Sequence, residues 1–570
     1  MAGLWQFTLL CWAWSPLCLS SRVSFIGSPK ECEKAHFVPG YNLGGEGFDV
    51  VTMEKKVASV IDTESWKLAN GTCRMYTNSN MKRQKQKVPV AVVDWRTLPK
   101  CSLKVYSTVY DSVETLVKDS TSSVSNDWKA GLNLSVDAEV MHGPIYGGSR
   151  CKDFTFAMEK LKGDRYAFIH HSVSCNFYRY RLATKPPLSQ EFQSAVDSLP
   201  SYSEKTEESY RRLIDTYGTH YITQVTLGGG LKAITAIRIC EAAIKGLSAT
   251  EISDCLAVEA SSSFVHPNSI KAMMGHCKEK RKKASIPSFS GAFNERSTDV
   301  SGGTIDGVDI LFQGQSNPSV YRRWIDSLKR TPGVVQYSLK ALHSILPSSH
   351  SARVGLKREV EKYIERNALW QNCSKPCSIG RRTGKRDACA CVCNSNQMVK
   401  SNCCPAGRRL ATLKVFGLYA KSLYGDRLTQ TDGSVVVKLD NQVKCTAIIP
   451  NNDNPKWSEV FEFGPIKISR KKQLLFSVYD QDTYWNSDQL GRCSVSLRSG
   501  NVTDSCMFTH GTFFFSYSVE CAPSLGGLQC QDYVPTPASP VWTEVFHNRS
   551  WLLLESQRND MAKGGTMKEL

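Results

Sequence analysis

Seven cysteines crowd into residues 373–404, and this cluster constrains the fold more than any other feature of the chain. The segment has few apolar side chains, so it needs covalent or metal cross-links in place of a hydrophobic core. Disulfides are favoured if the chain is exported, and a zinc site is the alternative that clustered cysteines allow. The cluster predicts a small disulfide-rich module over residues 371–405 that separates two larger regions.

The first 21 residues predict export. They form an apolar run that ends at the small residues Ser20 and Ser21, as in a cleaved signal peptide. Cleavage would leave 20 of the 22 cysteines, an even number that suits disulfides in an oxidising compartment. Sequons for N-linked glycans begin at five positions: Asn70, Asn133, Asn372, Asn501 and Asn548. The chain is therefore expected to be secreted or vesicular.

The net charge of +18 favours an anionic partner, either nucleic acid or lipid headgroups. An exported chain meets lipid rather than nucleic acid, so a phospholipid membrane is the expected partner. No later segment approaches the roughly 18 to 20 continuous apolar residues of a membrane-spanning helix. The mature chain is expected to be a monomer in solution.

The regions on either side of the cysteine cluster differ in pattern. Residues 28–370 mix helical spacing, as at Tyr210, Leu213, Ile214 and Tyr217, with strands, which predicts an α+β domain that ends in a linking helix. Residues 410–520 contain short apolar runs between turn-rich loops, which is typical of an antiparallel β-sandwich. Residues 521–570 form a polar, proline-rich tail with too few apolar residues to fold independently.

Two loops of the sandwich carry aspartates. Five carboxylates at one end of a sandwich would repel one another unless a hard cation neutralised them, and Ca²⁺ takes six to eight oxygen ligands from such loops. The alternative is that aspartate is simply common in turns. The predicted calcium ligands are Asp426, Asp432, Asp480, Asp482 and Asp488.

Aromatic side chains flank these aspartates. Tyr424, Tyr484 and Trp485 are predicted to contact the membrane, because Tyr and Trp favour the interface between lipid and water. The segment resembles a C2 calcium- and phospholipid-binding domain, and the resemblance implies that the five aspartates hold Ca²⁺.

A glycine-rich signature marks the large domain. "YGTHYITQVTLGGG" at residues 217–230 and "FVPGYNLGGEGFDVV" from Phe37 resemble the membrane-attack-complex/perforin (MACPF) family, as does the order of the three modules. The resemblance implies a bent central antiparallel sheet flanked by two helical clusters, which unfurl into β-hairpins while many subunits form a ring. Gly218, His220, Gly228 and Gly229 are the predicted signature and hinge residues, with His220 in a structural role.

Two stretches of the large domain could cross lipid as strands. Every backbone polar group must be satisfied there, so strands cross only as part of a closed β-barrel. Leu132 to Val140 alternates apolar and polar residues over a spanning length. Leu256 to Phe264, with a return stretch from Ile286 to Phe293, alternates less cleanly. The alternative is that such alternation marks ordinary half-buried strands.

Further roles follow from the MACPF resemblance alone. It implies that Arg212 lies at the interface between subunits, although Lys340 stands near the position where a neighbour would offer an acid. It also implies six disulfides and leaves Cys151 and Cys445 over: Cys32–Cys73, Cys101–Cys175, Cys240–Cys404, Cys255–Cys277, Cys493–Cys506 and Cys521–Cys530.

The sequence thus predicts a secreted, calcium-dependent, pore-forming protein with a cytolytic immune role. It would be stored in acidic secretory granules, where protons compete with Ca²⁺ for the carboxylates. The alternative is a non-lytic MACPF-family protein that binds membranes for adhesion or regulation. No nucleophile elbow or His-Glu-x-x-His motif occurs, so neither an enzyme activity nor a small-molecule substrate is expected.

Overall fold

A computed structural model describes residues 24–134, 145–262, 267–304, 310–313, 318–372, 376–377, 379–382, 391–425, 429–483, 486–537 and 541–544. The chain forms a large α+β domain, a small disulfide-linked module and a C-terminal β-sandwich, as predicted. Within the described residues, no helix is both long and apolar enough to cross a membrane.

The large domain is built on long antiparallel strands. Its strands are β1 (Ser24–Gly27), β2 (Glu46–Asp49), β3 (Glu54–Ser59), β4 (Cys73–Asn78), β5 (Gln84–Lys87), β6 (Val92–Tyr110), β7 (Tyr166–Leu182), β8 (His220–Arg238), β9 (Arg296–Ser301) and β10 (Gly333–Ala341). Its helices are α1 (Pro29–Lys34), α2 (Val113–Ser120), α3 (Lys152–Gly163), α4 (Gln190–Asp197), α5 (Glu207–Tyr217), α6 (Ile239–Ile244), α7 (Ala249–Ser261), α8 (Pro267–Ala284), α9 (Phe289–Ala292), α10 (Ile310–Gln313), α11 (Pro318–Leu328) and α12 (Ala352–Asn367).

The central sheet has the strand order β3-β2-β8-β7-β6, and β9 and β10 both pair with β8. β10 covers the first half of β8 up to Gly228, and β9 covers the second half from Gly230. The partner strand therefore changes at the three glycines 228–230. β7 carries a register shift between Asn176 and Tyr178 at the same level, so irregular pairing occurs on both sides of the glycines.

Two groups of helices connect neighbouring strands of this sheet. α2 and α3 lie between β6 and β7, and α6 to α9 lie between β8 and β9. Leu256 to Ser261 belongs to α7, so reading this stretch as an ordinary half-buried strand is wrong. Ile252, Cys255 and Leu256 recur at helical spacing and are buried, which explains why this stretch is helical.

The other candidate spanning strand lies almost wholly outside the described residues, since 135–144 are not described. Leu132 and Leu134 at its start are partly buried against the core of the large domain. α12 forms the predicted linking helix, and Leu356, Val360 and Ile364 are buried on one side of it.

Disulfides hold the small module, which contains β11 (Leu369–Asn372), β12 (Arg381–Arg382) and β13 (Cys391–Val392). All six predicted pairs form, and two more, Cys377–Cys391 and Cys393–Cys403, lie within the module. A zinc site built from these described cysteines is therefore wrong. Cys151 is a buried free thiol and Cys445 an exposed one.

The C-terminal sandwich packs two four-stranded antiparallel sheets, of order β17-β14-β21-β20 and β16-β15-β18-β19. Its strands are β14 (Leu410–Lys421), β15 (Gly433–Leu439), β16 (Gln442–Cys445), β17 (Phe461–Lys467), β18 (Gln473–Thr483), β19 (Asn486–Ser496), β20 (Gly500–Phe508) and β21 (Gly511–Cys521). Alternate inward residues such as Leu413, Val435, Phe476 and Phe515 form its core.

The tail does not fold alone but adds to the other parts of the chain. It contributes β22 (Leu525–Gly526), β23 (Asp532–Tyr533) and β24 (Val541–Glu544), and β24 pairs with β11. The Tyr533 hydroxyl donates to a carboxylate oxygen of Asp164 at 2.6 Å, and the Thr536 amide donates to the other at 3.0 Å. The tail is thereby tied to the large domain just before β7.

Candidate functional site

The aspartate loops converge where β15 begins and β18 ends. Asp480 is opposite Gly433 on one side and opposite Asp488 on the other. The Asp432 amide donates to Asp480 Oδ1 at 2.7 Å, and Asp480 is only 1 % exposed. These contacts bring three of the five predicted ligands to the same end of the sandwich.

The Asp480 side chain points toward Gly425, in the loop between β14 and β15. A Cβ built on Gly425 would lie 1.5 Å from Asp480 Oδ2, so only glycine lets the backbone beside position 426 come this close to the carboxylate. This close approach places the Asp480 carboxylate against the loop between β14 and β15 at Gly425. A buried carboxylate directed at a neighbouring loop fits a pair of cation-binding loops.

A third loop, which the sequence reasoning missed, supports the other two. The Asn451 amide donates to Asp432 Oδ1 at 2.7 Å. Asp453 accepts hydrogen bonds from the Thr431 amide at 2.9 Å and from the Thr431 hydroxyl at 3.0 Å. The signal in the sequence was the Asn-Asn-Asp-Asn-Pro run at 451–455, which is rich in turn-forming side chains that bond to nearby backbone.

Part of the predicted site lies outside the described residues: Asp426, Tyr484, Trp485 and the side chain of Asp482. Within the described part of the chain, no group of three or more His, Cys, Asp or Glu side chains is arranged to hold a metal. Tyr424 is described, and it is 51 % exposed with its ring stacked on His510 at 6.1 Å between centroids. An aromatic ring is thus presented to solvent beside the aspartate loops.

The signature residues Gly218 and His220 lie where α5 meets β8. Gly218 has φ +78°, and a Cβ there would lie 2.4 Å from the Phe48 carbonyl oxygen. His220 is fully buried, with Nδ1 2.8 Å from the Thr219 hydroxyl and Nε2 2.9 Å from the Trp128 carbonyl oxygen. Burial lowers the pKa of His220 to about 4, so the imidazole is neutral. Through its contact with Trp128 it joins the junction of α5 and β8 to the segment that precedes residue 134.

Gly228 and Gly229 are sites of close packing. A Cβ on Gly228 would lie 1.8 Å from the Cys175 carbonyl oxygen of β7. A Cβ on Gly229 would lie 2.5 Å from Leu328 and 2.6 Å from Trp324, both on α11. Both glycines therefore allow neighbouring elements to approach β8 more closely than any side chain would.

Arg212 projects from α5 with 77 % of its side chain exposed, and its Nε lies 3.6 Å from Glu208 Oε1. Lys340 is exposed on β10, opposite Tyr221. The next residue, Arg211, instead lies 3.8 Å from the fully buried carboxylate of Glu359 on α12. Arg212 is the more accessible of the two arginines.

Comparison with known proteins agrees with this architecture. The MAC/Perforin domain family matches residues 38–372, the Perforin-1-like EGF domain family matches 372–406, and the C2 domain family matches 411–510. The chain belongs to the MACPF family of pore-forming proteins and carries a C2 membrane-binding domain.

Individual relatives show which members of the family this chain is similar to over most of its length. Perforin-1 of Rattus norvegicus is 37 % identical over 90 % of this chain and 93 % of its own length. Perforin-1 of Homo sapiens is 37 % identical over 89 % of this chain and 92 % of its own. Complement component C6 of Bos taurus is 23 % identical over 64 % of this chain and 39 % of its own. The similarity to the Perforin-1 proteins thus extends over all three modules.

Proposed function

We propose that this protein is a secreted, calcium-dependent pore former. Its C2 domain docks on a target membrane, subunits that are monomers in solution assemble into a ring, and each subunit inserts two β-hairpins into a shared transmembrane β-barrel. The role is cytolytic, as in an immune effector, and no bond is made or broken. Storage in secretory granules before release fits the export signal and the proton-sensitive carboxylates.

The observation that carries this proposal is the placement of the two helical groups. Each group connects antiparallel neighbours, β6 to β7 and β8 to β9, and both groups lie at the same end of the sheet. A connection between antiparallel neighbours can be converted into a hairpin that extends the existing ladder, with no change in strand order. Both connections, 111–165 and 239–295, exceed the roughly 20 residues that two spanning strands need.

The described loops support the calcium requirement. Asp426, Asp432, Asp480, Asp482 and Asp488 would hold Ca²⁺, which when bound neutralises their mutual repulsion and the repulsion from anionic headgroups. Two described residues support this role. Asp480 is buried and accepts a hydrogen bond from the Asp432 amide, and the ring of Tyr424 is exposed. Tyr484 and Trp485 are proposed to enter the headgroup region beside Tyr424.

Assembly into a ring is proposed because two hairpins from one chain cannot close a wide barrel. Arg212 is the proposed contact with the neighbouring subunit, since its guanidinium is exposed on the helix that precedes the signature. Gly218, His220, Gly228 and Gly229 are proposed to preserve the close packing of the sheet around its bend.

The test is dye release from phospholipid vesicles, run with calcium and with a chelator, followed by imaging of the same vesicles. We expect release and ring-shaped particles only with calcium. Vesicles that bind the protein with calcium but retain their dye would favour the non-lytic alternative. Equal vesicle binding with and without the chelator would refute the proposed calcium dependence.

A further inference from the structure

Two adjacent histidines in the middle of the sheet contact the two helical groups separately. His170 and His171 lie side by side on β7, and because side chains alternate along a strand they point to opposite faces. The face of His170 also carries Phe168 and is covered by α2 and α3. The face of His171 also carries Ile169 and is covered by α7.

His170 joins the first helical group through a carboxylate of α2. Its Nδ1 lies 2.8 Å from Asp119 Oδ2, near the C-terminal end of α2. The hydrogen bond to His170 is the largest cause that lowers the pKa of Asp119, and Tyr110 and Lys232 lower it further. The Asp119 carboxylate is therefore held ionised between β7 and the neighbouring strands.

An ion pair supports the same attachment. Lys232 of β8 lies 2.5 Å from Asp153 Oδ2 on α3, and the Ser120 hydroxyl at the end of α2 donates to that same oxygen at 2.5 Å. Asp153 and Lys232 are 14 % and 28 % exposed, so their attraction is stronger than that of a surface pair. Strand β7 holds the first helical group through the hydrogen bond of His170 to the Asp119 carboxylate, and β8 holds it through the Lys232–Asp153 ion pair.

His171 joins the second helical group through a neutral hydrogen bond. It is fully buried, and its Nε2 lies 3.1 Å from the Ser253 carbonyl oxygen of α7. Because a carbonyl only accepts, Nε2 carries the proton. Burial lowers the pKa of His171 to about 4, so this bond involves an uncharged ring at pH 5 and above.

We propose that His170 and His171 are two independent latches, with His170 and the neighbouring Lys232–Asp153 ion pair holding α2–α3 on one face of β7 and His171 holding α7 on the other. This inference rests on the proposed function, since the latches matter because both groups must leave the sheet to form hairpins. On its face of β7 the first group is held through the carboxylates of Asp119 and Asp153, whereas on the other face His171 holds α7 through an uncharged hydrogen bond.

The latches are tested on the soluble, calcium-free protein by hydrogen–deuterium exchange of 113–120 and of 249–261. Asp119→Asn removes the charge on the first side with little change in shape and should raise exchange in 113–120 by on the order of tenfold, leaving 249–261 within twofold. His171→Leu should do the reverse, with a rise of about fivefold in 249–261. His171→Gln retains an N–H donor and should restore part of the protection.

A matched control is available in Asp197→Asn, because Asp197 pairs with His350 at 3.2 Å outside both helical groups. It should change exchange in neither segment. Equal changes in both segments, or no change in either, would overturn the proposal. If His171→Leu is not secreted, Asp119→Asn decides alone, since it must loosen 113–120 without loosening 249–261.

Dye release from calcium-treated phosphatidylcholine vesicles completes the test. The Asp119→Asn variant should release dye faster than the wild type by several fold. A wild type that releases no dye would refute the proposed function, whereas a wild type that perforates while Asp119→Asn leaves exchange and release unchanged would refute the latch alone.

Discussion

The three consecutive glycines of β8, residues 228–230, differ in how closely other atoms approach them. Substituting each one therefore tests whether close packing is the reason for the glycines. A Cβ on Gly230 would meet nothing nearer than Ser301 at 3.9 Å, whereas on Gly229 it would meet the side chains of Leu328 and Trp324, and on Gly228 the backbone of Cys175. If close packing is the reason for these glycines, alanine substitutions at the three positions should differ sharply although the residues are neighbours.

The expected magnitudes follow from those distances. Gly230→Ala should stabilise the domain by roughly 0.5–1 kcal/mol, because alanine loses less backbone entropy than glycine in a strand. Gly229→Ala should cost about 1–3 kcal/mol, the usual cost of overpacking against side chains that can shift. Gly228→Ala should cost more than about 3 kcal/mol, since a carbonyl of the paired strand cannot move without breaking the β7–β8 ladder.

The assay is thermal unfolding of the secreted variants, in which each kcal/mol should shift the melting temperature by roughly 1–2 °C for a domain of this size. Dye release from vesicles is measured on the same samples. If the glycines instead serve a moving hinge, Gly230→Ala would reduce release at unchanged or raised stability. That result, or a Gly228→Ala variant as stable as the wild type, would refute the close-packing explanation.

Three further predictions concern calcium and pH. Asp480→Asn should raise the calcium concentration needed for vesicle binding at least about tenfold. The control Asp440→Asn alters a carboxylate that is paired with Lys472 at 2.5 Å and should leave that concentration unchanged. Equal effects of the two substitutions would contradict the proposed calcium site. Vesicle binding measured at one calcium concentration should be weaker at pH 5 than at pH 7.4, because protons compete for the carboxylates, and equal binding would contradict this. Because burial lowers the folded-state pKa of His220 to about 4, the neutral ring contributes fully to stability above about pH 6.5, and the free energy of unfolding should fall by about 2 kcal/mol at pH 5. Urea unfolding at pH 7.4 and at pH 5 measures this loss. A wild type that loses no more stability than His220→Gln between the two pH values would contradict the prediction.

Local patterns were sufficient for much of the architecture. Tyr210, Leu213, Ile214 and Tyr217 predicted a helix through their spacing, and all four are buried on α5. The short apolar runs after residue 410 predicted the sandwich, where alternation along each strand matches the buried face. In both cases the signal and the structure depend on the same few neighbouring residues.

The stretch from Leu256 to Ser261 shows where alternation misleads. Leu256, Val258 and Ala260 are two residues apart and all are buried, yet they lie on a helix that is covered on several sides. The Ser248 and Glu251 side chains form a capping box at the start of α7, and this Ser-x-x-Glu pattern was the sequence signal for a helix. The cap identifies the helix where periodicity alone is ambiguous.

Other contacts could not be predicted because they join distant parts of the chain. Nothing local indicates that β24 pairs with β11 or that Asp164 accepts hydrogen bonds from Tyr533 and Thr536. The same holds for Asp453 in the sandwich, whose support of Thr431 depends on where two loops meet. Loop aspartates predict that a cluster can form, whereas the backbone path decides which of them contact one another.

The positions of the helical groups on opposite faces also bear on the proposed order of events. Phe168 and Ile234 are covered by α2 and α3, whereas Ile169 and Ala233 are covered from the side of α7. Release of either group from an isolated subunit would expose apolar sheet surface to water, at a cost of roughly 25 cal/mol per Å². Lipid or a neighbouring subunit offsets that cost by covering the same surface. We therefore expect docking and assembly to precede release, because an isolated subunit in water has nothing to replace the helices it would lose.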